Sequence, residues 1–74
     1  MQLEMVYEEE NIIDKTMRIL NMNTESLANY LNILAYQEKI NFTTTRGRVV
    51  NWSRGHANIT PLVTKLCVKL LNKR

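Results

Sequence analysis

The sequence predicts a compact all-α domain of four helices, and three observations predict it. Apolar residues recur at three- and four-residue spacing in separate stretches. Residues suited to opening a helix, Asn23 and the Thr60-Pro61 pair, stand ahead of two of those stretches. No repeat, low-complexity stretch or linker rich in Gly, Pro or Ser divides the chain, so residues 1–74 read as one domain. A core of that size is small, and association with a second chain is its expected support.

The first helix is expected over residues 8–22. Ile12, Ile13, Thr16, Met17 and Leu20 make its apolar stripe, and Glu8, Glu9 and Glu10 fall in a first turn whose dipole favours negative charge. Before it, Met1, Leu3, Met5 and Tyr7 alternate with Gln2, Glu4 and Val6, which suits either a short strand or a further helical turn, and either serves a dimer contact. The second helix begins at Thr24 behind an Asn23 cap, repeats Leu27, Ala28, Leu31 and Leu34 at helical spacing, and runs to about Gln37. Periodicity is then lost through "YQEKINFTTTRGR", where Ile40 and Phe42 alternate with polar residues: an extended loop. From Arg46 the pattern returns, with Val49 and Trp52 on one face and Gly55 as a left-handed stop. The last helix starts at Thr60-Pro61 and runs to about Asn72, with Leu62, Val63, Leu66, Cys67, Leu70 and Leu71 on its apolar face and Lys65, Lys69 and Lys73 as a solvated stripe.

Charge is divided along the chain. All seven acids lie in residues 1–38 against Lys15 and Arg18 alone, a balance of −5, while residues 39–74 carry eight cations and no acid, a balance of +8. A basic half of that kind points to a polyanionic partner.

Two pieces in order, "LNMNTESLANYLNI" at residues 20–33 and "RVVNWSRGHANITPLVTKLCVKLL" at residues 48–71, resemble the helix-turn-helix repressors of the Cro and lambda-repressor type, the Xre family. The likeness covers about half of the chain. It implies a lambda-repressor-like helix-turn-helix domain in which Leu20, Met22, Glu25, Leu27, Ala28, Leu31 and Ile33 form the first motif helix, with Ala28 allowing close helix approach. It further implies that Val49 and Trp52 seat the recognition helix on the core, that Arg54 and Gly55 end it, and that Ile59 and Pro61 lead into the next helix. The chain departs from the family pattern in its connector: 18 residues separate Ile33 from Trp52, so "LAYQEKINFTTT" reads as an insertion ahead of the recognition helix. The insertion admits a second fold, a winged helix in which "INFTT" and "RVVNW" pair as a hairpin within residues 40–52.

A recognition helix presents forked or short donors to the major groove while its opposite face stays apolar. Arg46 and Arg48 suit guanine O6 and N7, Asn51 suits adenine N6 and N7, and Val50 suits a thymine methyl. Gly47 either spares a side chain where backbone meets backbone or is a plain turn glycine of "TRGR". Thr24, Thr43, Thr44 and Thr45 are expected to bond phosphate through hydroxyl and backbone N–H groups, with Arg54 adding a phosphate contact. Trp52 is expected in the core rather than stacked on a base, and Tyr7, Tyr30 and Tyr36 form no stacking platform.

The expected function is therefore that of a sequence-specific double-stranded DNA-binding regulator, a small phage or mobile-element repressor that binds a palindromic operator as a homodimer. The alternative is an antitoxin-like or inhibitory protein-binding module acting through the acidic residues 1–38. Catalysis is not expected, because the acids are segregated from the single histidine, His56, and the single cysteine, Cys67, and no phosphate-cradling glycine loop is present. One Cys and one His supply neither an internal disulfide nor a zinc set, so no metal, cofactor or small-molecule substrate is expected. With no apolar run of about 18 residues and no basic, apolar leader in "MQLEMVYEEE", a cytoplasmic protein off the membrane is expected.

Overall fold

Four helices run through residues 10–73, the part of the chain that the computed structural model describes. They are α1 (Ile12–Leu20), α2 (Thr24–Gln37), α3 (Arg46–Ser53) and α4 (Pro61–Lys73), and no strand occurs among the described residues. No helix among them is long and apolar enough to cross a membrane.

Each helix starts on a side-chain oxygen that accepts an otherwise unpaired backbone N–H of its first turn. Asn11 Oδ1 accepts from Asp14 N–H at 2.8 Å and Asn23 Oδ1 from Ser26 N–H at 2.8 Å. Thr45 Oγ1 accepts from Arg48 N–H and Thr60 Oγ1 from Val63 N–H, both at 3.3 Å. The first three helices end alike, on a residue in the left-handed region: Asn21, Lys39 and Gly55, with φ of 55°, 60° and 77°. At each end two N–H groups fold back onto free carbonyls, for example Gly55 to Trp52 at 3.2 Å and His56 to Asn51 at 2.8 Å. Gly55 adopts this conformation without penalty, whereas Lys39 carries a Cβ into it.

The core forms where α1 packs on α4 and α3, and α2 packs on α3 and α4. Ile13, Leu27, Leu31, Val49 and Leu66 are each fully enclosed, with Leu34, Val63 and Leu70 beside them. Thr16, also enclosed, keeps its hydroxyl satisfied by donating to Ile12 O at 2.7 Å. Cys67 is a small core hydrophobe, as its place on the α4 stripe predicts, and burial pushes its thiol above the usual range.

Several boundaries differ from expectation. α1 begins at Ile12 rather than residue 8, because Asn11 breaks from helix to cap it; the acid in its first turn is Asp14. Glu10 instead takes the Arg18 guanidinium in a two-pronged ion pair, at 2.8 and 3.0 Å, which holds its carboxyl below the ordinary carboxylate range. Glu8 and Glu9, and the Met1–Tyr7 dimer contact expected with them, lie outside the described residues. In the lysine stripe of α4, Lys69 is not simply solvated but bonds Glu38, beyond the end of α2, at 3.0 Å. Ile33, a closing position of the first motif helix by family likeness, is 51% exposed, since α2 continues to Gln37 and turns that residue outward.

The hairpin alternative for residues 40–52 is not formed. Residues 46–53 are helical, and the backbone groups of Thr44 that a strand ladder would use are taken by one side chain: Thr44 N–H donates to Asn32 Oδ1 at 2.8 Å, and Asn32 Nδ2 donates to Thr44 O at 3.0 Å. The connector from α2 to α3 lies over the core through Ile40 and Phe42. Thr44 is drawn in with it; its hydroxyl is buried and without a hydrogen-bond partner among the described residues.

A buried unbonded hydroxyl costs about 1–3 kcal/mol of desolvation. Thr44→Val, which keeps the shape and both backbone bonds, is expected to raise stability by about 1 kcal/mol, read as a later urea midpoint with unchanged slope. Cys67 is expected to resist a thiol-reactive dye in the native protein at about pH 8 and to react at the rate of global opening, so that mild urea accelerates labelling in step with unfolding.

Candidate nucleic-acid interface

α3 is eight residues long, and its sequence, RGRVVNWS, divides by helical geometry into two faces. At about 100° per residue Val49 and Trp52 share one side, and both are buried, Trp52 to 6% exposure. Opposite them Gly47, Val50 and Asn51 follow one another at helical-neighbour spacing, and Arg54 continues the stripe just past the last turn. Gly47, Asn51 and Arg54 are exposed and Val50 half-buried. Arg46 and Arg48 flank this stripe, both exposed. Seven of the ten residues singled out in the sequence for DNA contact (Thr45, Arg46, Gly47, Arg48, Val50, Asn51 and Arg54) therefore occupy one short helix and its ends.

The other three, Thr24, Thr43 and Thr44, lie outside α3. Thr24 opens α2, half-buried behind the Asn23 cap. Thr44 cannot act as a phosphate donor through its hydroxyl, because the Asn32 clamp turns that side chain into the protein, at 7% exposure. Thr43, beside it, is exposed. Thr45 is exposed, and its oxygen caps α3.

Gly47 is not the plain turn glycine of "TRGR". It lies in the first turn of a helix rather than in a loop turn, and no backbone from elsewhere in the fold comes within 4 Å of where its Cβ would stand; the near neighbour is Thr45 Oγ1 at 3.8 Å. Nothing inside the fold requires glycine there. The position is an unfilled notch in the outward stripe of α3.

The electrostatics of α3 run against helix stability. The N-terminal end of a helix carries about half a positive charge and is normally matched with acids. Here the first turn has no acid and holds two arginines, and the last turn has no cation. Among the described residues no carboxylate pairs with Arg46, Arg48 or Arg54; the acids that form ion pairs, Glu10 and Glu38, are engaged by Arg18 and Lys69. Like charges at this end cost about 0.3–1 kcal/mol each. A short helix that accepts this cost concentrates positive potential on its exposed end, where an anion relieves it.

Sequence reading missed the residues that hold α3 in place. Asn11 does more than cap α1: its Nδ2 donates to the carbonyls of Trp52 and Ser53 at 3.2 and 3.3 Å, while Ser53 Oγ donates to Asp14 Oδ1 at 2.5 Å. Asn11 had a local signal, a capping asparagine three residues ahead of Asp14. Asn32 had none, since its partner is twelve positions away across an irregular connector.

Elsewhere, an open groove between α1, α2 and α4 is lined by apolar residues including Leu20, Met22, Ile33 and Leu70, with Lys73 at its edge. No three of His, Cys, Asp and Glu come together as metal ligands among the described residues.

A Cβ added at Gly47 meets only ordinary contact, so Gly47→Ala is expected to stabilise the fold by about 0.5–1 kcal/mol through the helix preference of alanine, measured by urea denaturation. Comparison of the chain with protein-family models, with curated proteins and with solved structures finds no match in any of the three.

Proposed function

We propose that the protein is a double-stranded DNA-binding regulator that reads sequence with α3, acting by binding rather than by catalysis. The observation that carries this reading is the outward face of α3: two arginines, without acidic partners among the described residues, at the positive end of a helix dipole, flanking a stripe of Gly47, Val50, Asn51 and Arg54. A helix of this width enters a major groove about 12 Å across, where arginine forks and an asparagine amide match base edges. Single-stranded nucleic acid is less well served, because Trp52 is turned into the core and the exposed tyrosines, Tyr30 and Tyr36, belong to α2. The resemblance of residues 20–33 and 48–71 to Cro-like repressors supports the same assignment, and with it a small phage or mobile-element repressor.

Eight residues of helix touch only a few base pairs, which is too little information to select one site in a genome. A homodimer on a palindromic operator, its two α3 helices about 34 Å apart in successive major-groove faces, supplies the second half-site.

The test is fluorescence anisotropy with labelled duplexes drawn from upstream of the gene, with scrambled duplexes as reference. Each of Arg46→Ala, Arg48→Ala and Asn51→Ala is expected to weaken binding to the preferred duplex by about 5- to 150-fold, the equivalent of 1–3 kcal/mol for a bidentate base contact, with much less effect on the scrambled one. Lys69→Ala, whose cation already serves Glu38, is expected to weaken all duplexes slightly and alike or to have no effect. Wild-type affinity is expected to fall steeply with salt. Binding that ignores all three α3 substitutions would remove α3 from the interface, and binding to a protein through residues 1–38 with none to DNA would favour an inhibitor.

A further inference from the structure

We infer that Asn32, on α2, is a positioning residue for the α3 interface: its amide sets the orientation in which Arg46 and Arg48 are presented. The inference rests on the proposed DNA-reading role of α3 and names what makes that helix a defined reader.

α3 cannot fix its own geometry. A helix of eight residues is too short to persist alone in water. Its buried contacts are Val49 and Trp52, one stripe at one level of the core. Two neighbouring anchors on one side hold a short rod against a surface but leave its roll and tilt weakly determined. Those freedoms are removed at the ends. At the C-terminal end, Asn11 bonds two successive carbonyls, and Ser53 bonds Asp14, which fastens the last turn to the start of α1. At the other end Asn32 holds Thr44, the residue immediately before the Thr45 cap.

The Asn32 clamp is demanding in chemistry. It accepts from the N–H and donates to the carbonyl of one residue, at 2.8 and 3.0 Å, so it needs an acceptor and a donor on one planar group. Aspartate keeps only the first of these bonds and alanine neither. Asn32 is half-buried and stands off the Leu27, Leu31 and Leu34 stripe, so its removal opens no hole in the core. Thr44 adds a second indication. Its side chain gains nothing polar from its position, since its hydroxyl is orphaned, so it is the Thr44 backbone that the fold holds. The bonds connect to the interface through three consecutive residues: Asn32 fixes the Thr44 peptide groups, Thr45 caps α3, and Arg46 is the first helical residue.

Discrimination between sequences depends on this more than affinity does. Phosphate attraction is long-ranged and tolerates a small rotation of α3, whereas bidentate contacts to base edges do not. The full chain is used to select a preferred duplex from a randomised pool of duplexes roughly two helical turns long. Binding to that duplex and to a scrambled one is then compared for wild type, Asn32→Ala, Asn32→Asp and Thr44→Val, at a temperature where circular dichroism shows each variant folded. Asn32→Ala is expected to lower the preferred-to-scrambled affinity ratio at least tenfold while scrambled binding and its salt slope stay within twofold of wild type. Should that variant fail to fold, Asn32→Asp, which keeps one bond, is read instead; using the ratio cancels the effect of its added charge on general DNA affinity. Thr44→Val, which leaves the clamp intact, is expected to keep the wild-type ratio. Asn32 variants that melt earlier yet keep the wild-type ratio would show a merely structural residue and overturn the inference. Wild type that binds no duplex even at low salt would overturn the DNA-reading role itself, and this inference with it.

Discussion

Burial of Val49 and Trp52 is the contact on which the arrangement of this protein depends. α3 has no independent stability, and its charges oppose its own dipole, so it exists as a helix because those two side chains leave water against α1 and α2. Truncating a buried aromatic of this kind costs about 3–5 kcal/mol. That is comparable with the whole stability of a small domain, which is typically about 5–15 kcal/mol. Caps and end clamps act on a smaller scale, around 1 kcal/mol for each neutral hydrogen bond. The division of labour follows from those magnitudes: apolar burial decides that α3 is held, and hydrogen bonds decide how it is turned.

Asparagine does much of that second task, in three distinct ways. Asn23 caps a helix and nothing more. Asn21 supplies the left-handed stop that ends α1, a conformation its short polar side chain tolerates. Asn11 and Asn32 each use donor and acceptor separately, Asn11 capping one helix while tying down another and Asn32 closing a two-bond clamp on one residue. The same amide chemistry recurs on the outside at Asn51, which is exposed to solvent on the outward face of α3. In a chain too small for a large core, side-chain amides take over positioning that packing provides in bigger domains.

The separation of charge along the chain becomes a separation in space only in part. Two acids of the N-terminal half, Glu10 and Glu38, are matched by cations of α1 and α4, and both carboxyls are held below their ordinary range by those partners. The cations of α3 receive no such match among the described residues. Of the cations in the basic half, Lys69 is matched by a carboxylate, while Arg46 and Arg48 in the first turn of α3 and Arg54 just past its end keep their charge exposed on one short element.

Much of this was legible in the sequence, for identifiable reasons. The starts of α2 and α4 follow from Asn23 and Thr60-Pro61, and the buried faces of all four helices follow from apolar spacing, because caps and periodicity are local properties that a chain displays without its fold. The membership of the α3 stripe follows from the same periodicity once Val49 and Trp52 are assigned inward. What the tertiary structure decided is everything that joins residues distant along the chain. α1 starts at Ile12, behind an Asn11 cap, rather than at residue 8, because the Asn11 amide meets the end of α3 as well as the first turn of α1. Thr44 turns inward and a hairpin does not form, because Asn32 occupies the backbone groups that would have paired. A hydrogen bond across twelve or forty-one positions leaves no periodic trace, and its existence depends on the path of the connector, which only packing against the core determines.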